Sequence, residues 1–275
     1  MLNRKTTGSI LCPSCGKLVS VNAKECIYCG RKYPGLWGFG PALQKLFGLG
    51  SVTSILIVVN VVLYIIALLL RPAALLQIRD IFSIFSPDIT ILYKLGMTGS
   101  FALSQGRWWT LITAAYLHGG LLHILFNMLW LRQLGTMVEG LYGSARTFLI
   151  FTAAGVVGFV FSNMAGIDFT LGSSGAVFGL LGALVYYGRR RGGFLGTLLY
   201  RQVGTWAIVL FAFGFLTPGV NKMAHAGGCR GGLLAALMMG FNEHKAETTA
   251  HRLAALAVVV LTIVCFGLAV AEWVR

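Results

Sequence analysis

The chain has 275 residues, of which 57% are hydrophobic and 11% charged, with a formal net charge of +14. Soluble domains carry about 25% charged residues, so this composition excludes an ordinary soluble globule and defines a polytopic membrane protein behind a short polar N-terminus. The positive charge does not imply a nucleic-acid partner, because basic residues of membrane proteins gather in cytoplasmic loops.

No cleavable leader is expected, since Met1 to Ile10 lacks an apolar core and the first long apolar run begins after residue 50. Two CxxC pairs come first, Cys12-Pro-Ser-Cys15 and Cys26-Ile-Tyr-Cys29, ten residues apart and followed by Gly16 and Gly30. Paired knuckles of this kind present four thiolates to one tetrahedral ion. Four sulfurs favour a structural Zn(II), with a rubredoxin-like iron as the minor alternative. The competing readings are disulfides or inert thiols, and a cytosolic location disfavours disulfides. Residues 1–34 are therefore expected to form a zinc-ribbon-like cytosolic module, serving stability or the recognition of a cytosolic partner. Nothing in it points to catalysis. Residues 35–50 form a Gly-rich linker, whose patch Leu43, Leu46 and Phe47 would lie on the membrane surface.

Hydrophobic segments follow over 51–70, 108–134, 147–164, 174–187, 203–216, 223–241 and 253–271. Residues 73–107 form a long connection with interrupted apolar pieces, suited to short helices half-embedded in the interface. With a cytoplasmic N-terminus and seven crossings, the inside holds fifteen Lys and Arg and the outside six, with Arg230 inside the sixth span. This imbalance predicts N-in, C-out in a plasma (bacterial inner) membrane.

The stretch Leu171-Gly-Ser-Ser-Gly-Ala-Val-Phe-Gly joins a glycine-rich turn to a short apolar helix ending before Arg189-Arg-Arg191. A run of 174–187 spans about 21 Å at 1.5 Å per residue, less than the ~30 Å hydrocarbon core. A serine at its start thus lies below the external face, where irregular backbone is tolerated only inside protein or beside water. By itself this is compatible with a packing helix whose serines satisfy local hydrogen bonds, and spacing does not separate Ser173 from Ser174.

Other spans carry polar groups at matching depth. His118 stands in the second predicted span, with His123 and Asn127 at i and i+4 on one face. His225 stands near the start of the sixth. A serine hydroxyl needs a base to take its proton, an imidazole can do so near neutral pH, and an oxyanion needs preorganised donors. His123, the Asn127 amide and free N–H groups at the helix start could supply those donors. His118 could equally make only a helix-to-helix hydrogen bond. Gly175 and Gly179 on the fourth span, and Gly228 and Gly232 on the sixth, form small-residue faces that would let the two helices meet.

These motifs resemble the rhomboid family of intramembrane serine proteases. The resemblance covers about residues 51–241 and rests on three motifs: Gly172-Ser-Ser174-Gly175-Ala-Val-Phe178-Gly179, His118-Gly-Gly-Leu-Leu-His123-Ile-Leu-Phe-Asn127 and Ala224-His225-Ala-Gly-Gly228. Val138-Glu139-Gly-Leu-Tyr-Gly143-Ser144 is similar to the family's turn after the second helix. The resemblance implies an all-α, six-helix protease core over 51–241, here with a seventh transmembrane helix in 242–275. It implies Ser174 as nucleophile rather than Ser173, and His225 as base, in a dyad without a third acid or a cofactor. It further implies His123, Asn127 and the Ser174 backbone as oxyanion donors, and Phe178 packed on the His225 ring. Gly172, Gly175, His118 and Gly228 would support them. Substrates would be transmembrane segments of other proteins within the lipid bilayer. A non-proteolytic rhomboid-like protein that binds and guides membrane clients is the alternative, and a transporter ranks third. Two features depart from the family pattern. Arg107 precedes Trp108-Trp109 where Trp-Arg is common, and Arg230 is expected to face polar groups of the bundle or the seventh helix.

Overall fold

Apolar runs long enough to enter a bilayer fold as helices, because in lipid only internal hydrogen bonds satisfy the backbone. The computed structural model describes residues 4–12, 17–40, 51–73, 81–217, 219–243 and 247–274, the side chains of Phe82, Phe215 and Leu216 aside. Cys15, Gly16 and the patch Leu43, Leu46 and Phe47 fall outside the described residues. The chain divides into two units, 1–58 and 59–275.

In the first unit, β1 (Ser9–Leu11) pairs antiparallel with β2 (Leu18–Ser20), with Ile10 opposite Val19. The Cys12 N–H donates to the Lys17 carbonyl, and the Cys26 N–H to the Arg31 carbonyl, each at 2.8 Å. The same closure thus occurs twice, one turn per CxxC pair. Cys12, Val19 and Cys26 form its small buried cluster, with Ile10 packed against it.

Along the rest of the chain, α1 spans Val52–Leu69. Three short helices then occupy the long connection and its end: α2 (Ile89–Lys94), α3 (Ser100–Ser104) and α4 (Thr110–Thr113), the last continuing as a 3-10 turn over Ala114–Tyr116. The Asp88 carboxylate caps α2 by accepting from the Thr90 N–H at 2.9 Å. The long helices are α5 (Leu121–Tyr142), α6 (Ser144–Met164), α7 (Ser174–Arg191), α8 (Gly193–Leu216), α9 (Lys222–Met239) and α10 (Thr249–Val274).

The second predicted span needs correction. The 108–134 run is not one helix: α4 with its 3-10 turn meets α5 at 93°. Leu117 is extended (φ −99°, ψ 148°), as is Gly120 (φ 173°, ψ 170°), so the helical ladder stops between them. His118 therefore stands in a joint and not on a helix. The arm before the joint is held by the loop, through Thr113 Oγ1 donating to the Gly96 carbonyl at 2.8 Å.

Among the described residues four helices, α1, α6, α8 and α10, are long and apolar enough to cross a membrane, and the bent pair counts as a fifth if it forms one span. The protein is an all-α polytopic membrane protein with a small cysteine-bearing hairpin unit. α7 and α9 are less apolar because they are rich in glycine and carry arginine. α7 is the bundle's interior helix, its residues 175–184 all buried. A Cβ placed on Gly228 would overlap the Gly175 carbonyl oxygen, and one on Gly232 would overlap that of Gly179. Backbone therefore meets backbone along α7 and α9.

At the other end of the bundle, the wholly buried Arg146 donates from Nε to the Tyr142 carbonyl (2.6 Å) and from Nη1 to the Gly240 carbonyl (3.1 Å). Its Nη2 meets Asn242 Oδ1, so the α5–α6 turn is tied to the segment after α9. Arg230 does not face polar groups of the bundle or α10. It is exposed, with its guanidinium 5.8 Å from the Phe161 ring centroid, a cation–π contact on the outer surface.

Candidate active site

The loop 165–173 enters α7 at Ser174, and the two serines there differ in surroundings. Ser173 is fully buried. Its Oγ donates to Asn127 Oδ1 at 3.2 Å and lies 3.4 Å from His118 Nε2. With that proton given to Asn127, the His118 contact requires an Nε2–H donor. His118, wholly buried, thus ties the joint to the serine loop. Ser174 is half-buried, and its hydroxyl has no hydrogen-bond partner among the described residues. The second serine is the free one.

Ser174 and Phe178 are one helical turn apart and share a face of α7. The His225 ring stacks on Phe178, with centroids 4.2 Å apart and planes at 20°, and Phe211 of α8 meets it edge-on at 6.5 Å. The backbone brings α9 alongside: a Cβ on Gly175 would lie 3.3 Å from the Ala224 carbonyl oxygen. His225 is 6% exposed, and its Nδ1 is buried beside Gly214 without a partner among the described residues. No hydrogen bond joins Ser174 to His225.

His123 and Asn127 approach from α5. The Gly119 N–H donates to His123 Nδ1 at 3.3 Å, which leaves the ring's proton on Nε2. That Nε2 lies over Gly172, 2.6 Å from where a Cβ on that residue would stand. Gly172 has φ +114°, so the close approach and the backbone conformation both require glycine. Asn127 Nδ2 donates to the His123 carbonyl at 2.8 Å and keeps its second N–H. Two N–H donors therefore flank the loop just before the start of α7, where unpaired helical N–H groups add a positive field.

Two further groups, Asn221 and the Ala114 carbonyl, hold the loop before Ser174. Asn221 caps α9 by accepting from the Ala224 N–H (3.0 Å), while its Nδ2 donates to Thr170 Oγ1 (3.0 Å) and Ser162 Oγ (2.5 Å). Its signal was available, an Asn just before a helix. The other is the Ala114 carbonyl, which accepts from the Gly172 N–H at 2.9 Å and has no sequence signature.

The first unit holds a second candidate site. The sulfurs of Cys12, Cys26 and Cys29 lie within 4.8 Å of one another, and Cys12 and Cys29 Sγ are 3.7 Å apart. Two thiolates on one tetrahedral ion, each at about 2.3 Å, would be about 3.8 Å apart, so the spacing fits a metal. Burial pushes the Cys26 thiol up, but the N–H groups of Tyr28 and Cys29 and the neighbouring thiols outweigh it and bring it down to about 7. A thiolate is thus accessible at neutral pH.

A bundle of apolar helices thus carries a free serine at an interior helix start, a histidine stacked on the ring one turn further along and N–H donors on the adjoining helix. Residues 105–242 match the Rhomboid domain, and the chain belongs to the rhomboid family. It is 37% identical over 159 residues to "Rhomboid protease GluP" of Bacillus subtilis (strain 168), covering 56% of this chain and 31% of that protein. It is 31% identical over 169 residues to "RHOMBOID-like protein 5" of Arabidopsis thaliana, 58% of this chain and 51% of that one. It is 32% identical over 154 residues to "Rhomboid-like protease 5" of Toxoplasma gondii, 54% of this chain and 18% of that one. The chain thus spans from under a fifth to about half the length of these relatives.

Proposed function

We propose that this chain is an intramembrane serine endopeptidase that hydrolyses peptide bonds in or near transmembrane segments of other membrane proteins. The observation that carries this reading is the arrangement at the start of α7. A free Ser174 hydroxyl shares a helix face with the Phe178 ring that holds His225, while His123 offers an Nε2–H over Gly172. In the reaction, Ser174 Oγ attacks the scissile carbonyl as its proton passes to His225 Nε2. The oxyanion accepts hydrogen bonds from His123 Nε2–H, the spare Asn127 N–H and the Ser174 backbone N–H. Collapse breaks the C–N bond, His225 returns the proton to the leaving amine, and water then hydrolyses the acyl-enzyme by the same route in reverse. The unpartnered His225 Nδ1 fits a dyad in which ring stacking, and not an acid, orients the base.

Ser174→Ala should abolish cleavage of single-span reporters in reconstituted membranes, a loss of at least about 10³-fold in kcat. Continued cutting by that variant at the wild-type rate sinks the assignment. Labelling by a fluorophosphonate, lost in His225→Ala, separates the enzyme from a non-proteolytic client-binding protein.

In the same reading the N-terminus is cytoplasmic and the C-terminus external, with residues 1–34 a zinc-ribbon-like module and 51–241 the protease core. Cys12, Cys26, Cys29 and Cys15 would hold one structural Zn(II), which supplies a fixed tetrahedral crosslink between the two turns. Metal analysis of the purified chain is expected to find about one zinc per chain. The metal should be lost in Cys26→Ser, and a metal-free wild type with intact thiols would remove this part.

A further inference from the structure

We propose that the last turn of α10 is a positioning element for the serine loop, with Glu272 acting as a positioning residue through Arg107. Its kinetic consequence rests on the protease reading above; its structural consequence does not. Arg107 sits in the connection before α4 and is 2% exposed. A guanidinium that deeply buried must be paired. Its Nε meets Glu272 Oε2 at 2.6 Å, its Nη2 donates to the Tyr93 carbonyl at 3.0 Å, and its guanidinium lies 4.1 Å from the Tyr93 ring centroid. Arg107 and Glu272 are 165 residues apart in sequence, so the ion pair fastens the end of α10 to the loop that precedes the joint.

From Arg107 a continuous set of hydrogen bonds runs to the serine loop. The Arg107 carbonyl accepts from Thr110 Oγ1 (2.6 Å), and the same hydroxyl is hydrogen-bonded to Thr98 Oγ1 (2.9 Å). Thr98 and Thr170 exchange both backbone bonds, at 3.1 and 2.8 Å, and the Ser100 N–H donates to the Ile167 carbonyl at 2.9 Å. Thr170 stands two residues before Gly172, over which His123 Nε2 lies. An apolar route runs in parallel. Trp273 and Leu171 both pack against one buried cluster of Ala67, Ile91, Leu92, Leu95, Met97 and Leu117.

The pattern of α10 agrees with this task. Its buried residues Cys265 and Ala269 lie one turn apart and lead on to Glu272 and Trp273 along the same face. Phe266 beside them meets Tyr116 at 5.9 Å. Ile263 and Val270 are 65% and 50% exposed, as a lipid-facing side requires. The stripe of α10 that is not given to lipid packs on α6 and, at its end, on the serine loop's scaffold.

The test uses the full chain in proteoliposomes, with deuterium uptake of peptides covering 165–173 and the kinetics of a cut reporter. Glu272→Gln removes the charge and keeps the volume. It should raise uptake in 165–173 and lower kcat roughly tenfold, within the ~10²-fold that a 1 Å misplacement costs, with KM within about twofold. Glu272→Asp, which keeps the charge, should restore both, as loss of bulk stability would not. Unchanged uptake in 165–173 overturns the proposal, and so does raised uptake with unchanged kcat. If Glu272→Gln fails to fold, Thr98→Val cuts the same path away from the buried guanidinium and must give the same two signs, or the proposal fails. If the wild type cuts and labels nothing, the protease reading has failed, and the uptake experiment alone decides whether α10 orders the loop.

Discussion

The start of α7 is held from two sides built on different principles. Toward α9, contact is backbone on backbone: Gly175, Gly179 and Gly182 against Ala224, Gly228, Cys229 and Gly232. Toward α5 and the long connection, the loop before Ser174 is held by individual hydrogen bonds from Ala114, Thr98, His118 and Asn127. The first interface fixes how near the helix bearing His225 can come, and it leaves no room for a side chain. The second fixes the angle at which loop and donors meet, through backbone bonds at Ala114 and Thr98 and side-chain bonds at His118 and Asn127, of which the latter can be changed one at a time. Distance is therefore set by what is missing from the side chains, and orientation by what is present. The two should respond differently to the same mutation.

Gly228→Ala is the harshest of three single-methyl additions. Its Cβ would overlap the Gly175 carbonyl oxygen, which is backbone and cannot rotate away. The helices must separate, at a cost at the upper end of overpacking, about 3 kcal/mol or more. Thermal denaturation in detergent should show a strongly lowered transition, with labelling at Ser174 lost. A variant that melts like the wild type would break the claim that this interface is closed to side chains.

Gly172→Ala tests the other side. The added methyl would stand 2.6 Å from His123 Nε2 and would hold an L-residue at φ +114°. Strain of about 1–3 kcal/mol should leave the bundle folded. Displacement of the His123 donor should lower kcat about 10²-fold, as removal of one oxyanion donor does, with little change in KM. Reporter kinetics on a preparation shown to be folded is the measurement. A kcat near the wild-type value would remove His123 from the oxyanion site.

How much of this could be read in the sequence follows from the same division. Apolar length is a local property, so α6 and α9 lie within a few residues of the predicted runs, whereas α8 starts at Gly193, well before the predicted 203–216 run, because its first turns are less apolar. His123 and Asn127 were legible through their i, i+4 spacing, and the glycine faces through theirs. The 93° joint was not, because 108–134 is apolar on both sides of Gly119-Gly120 and hydropathy cannot see a bend. The extent of α7 is not legible from hydropathy either. The apolar run ends near Tyr187, but the helix continues through Arg191, where the arginines suit the negative end of its dipole. Ser173 and Ser174 are adjacent and chemically identical; only packing shows that one is engaged and the other free. The Arg107–Glu272 pair joins residues that no spacing rule connects, and Arg230, the odd charge in the sixth span, proves to rest on Phe161 at the outer surface.

The gentlest methyl addition sharpens the contrast by reversing its sign. Gly267 lies on the outward side of α10, in helix, with nothing within 4 Å of where its Cβ would be. An alanine there meets no neighbour and removes the entropic cost of glycine in a helix, which favours the variant by up to about 1 kcal/mol. Gly267→Ala should therefore melt at or slightly above the wild-type temperature, and its kcat should be unchanged, because Gly267 lies off the stripe formed by Cys265, Ala269 and Glu272. Measured beside Gly228→Ala in one detergent, the pair differs only in what the same methyl group meets. A destabilised Gly267→Ala would mean that α10 packs on this face as well, and that its lipid-facing side has been drawn too wide.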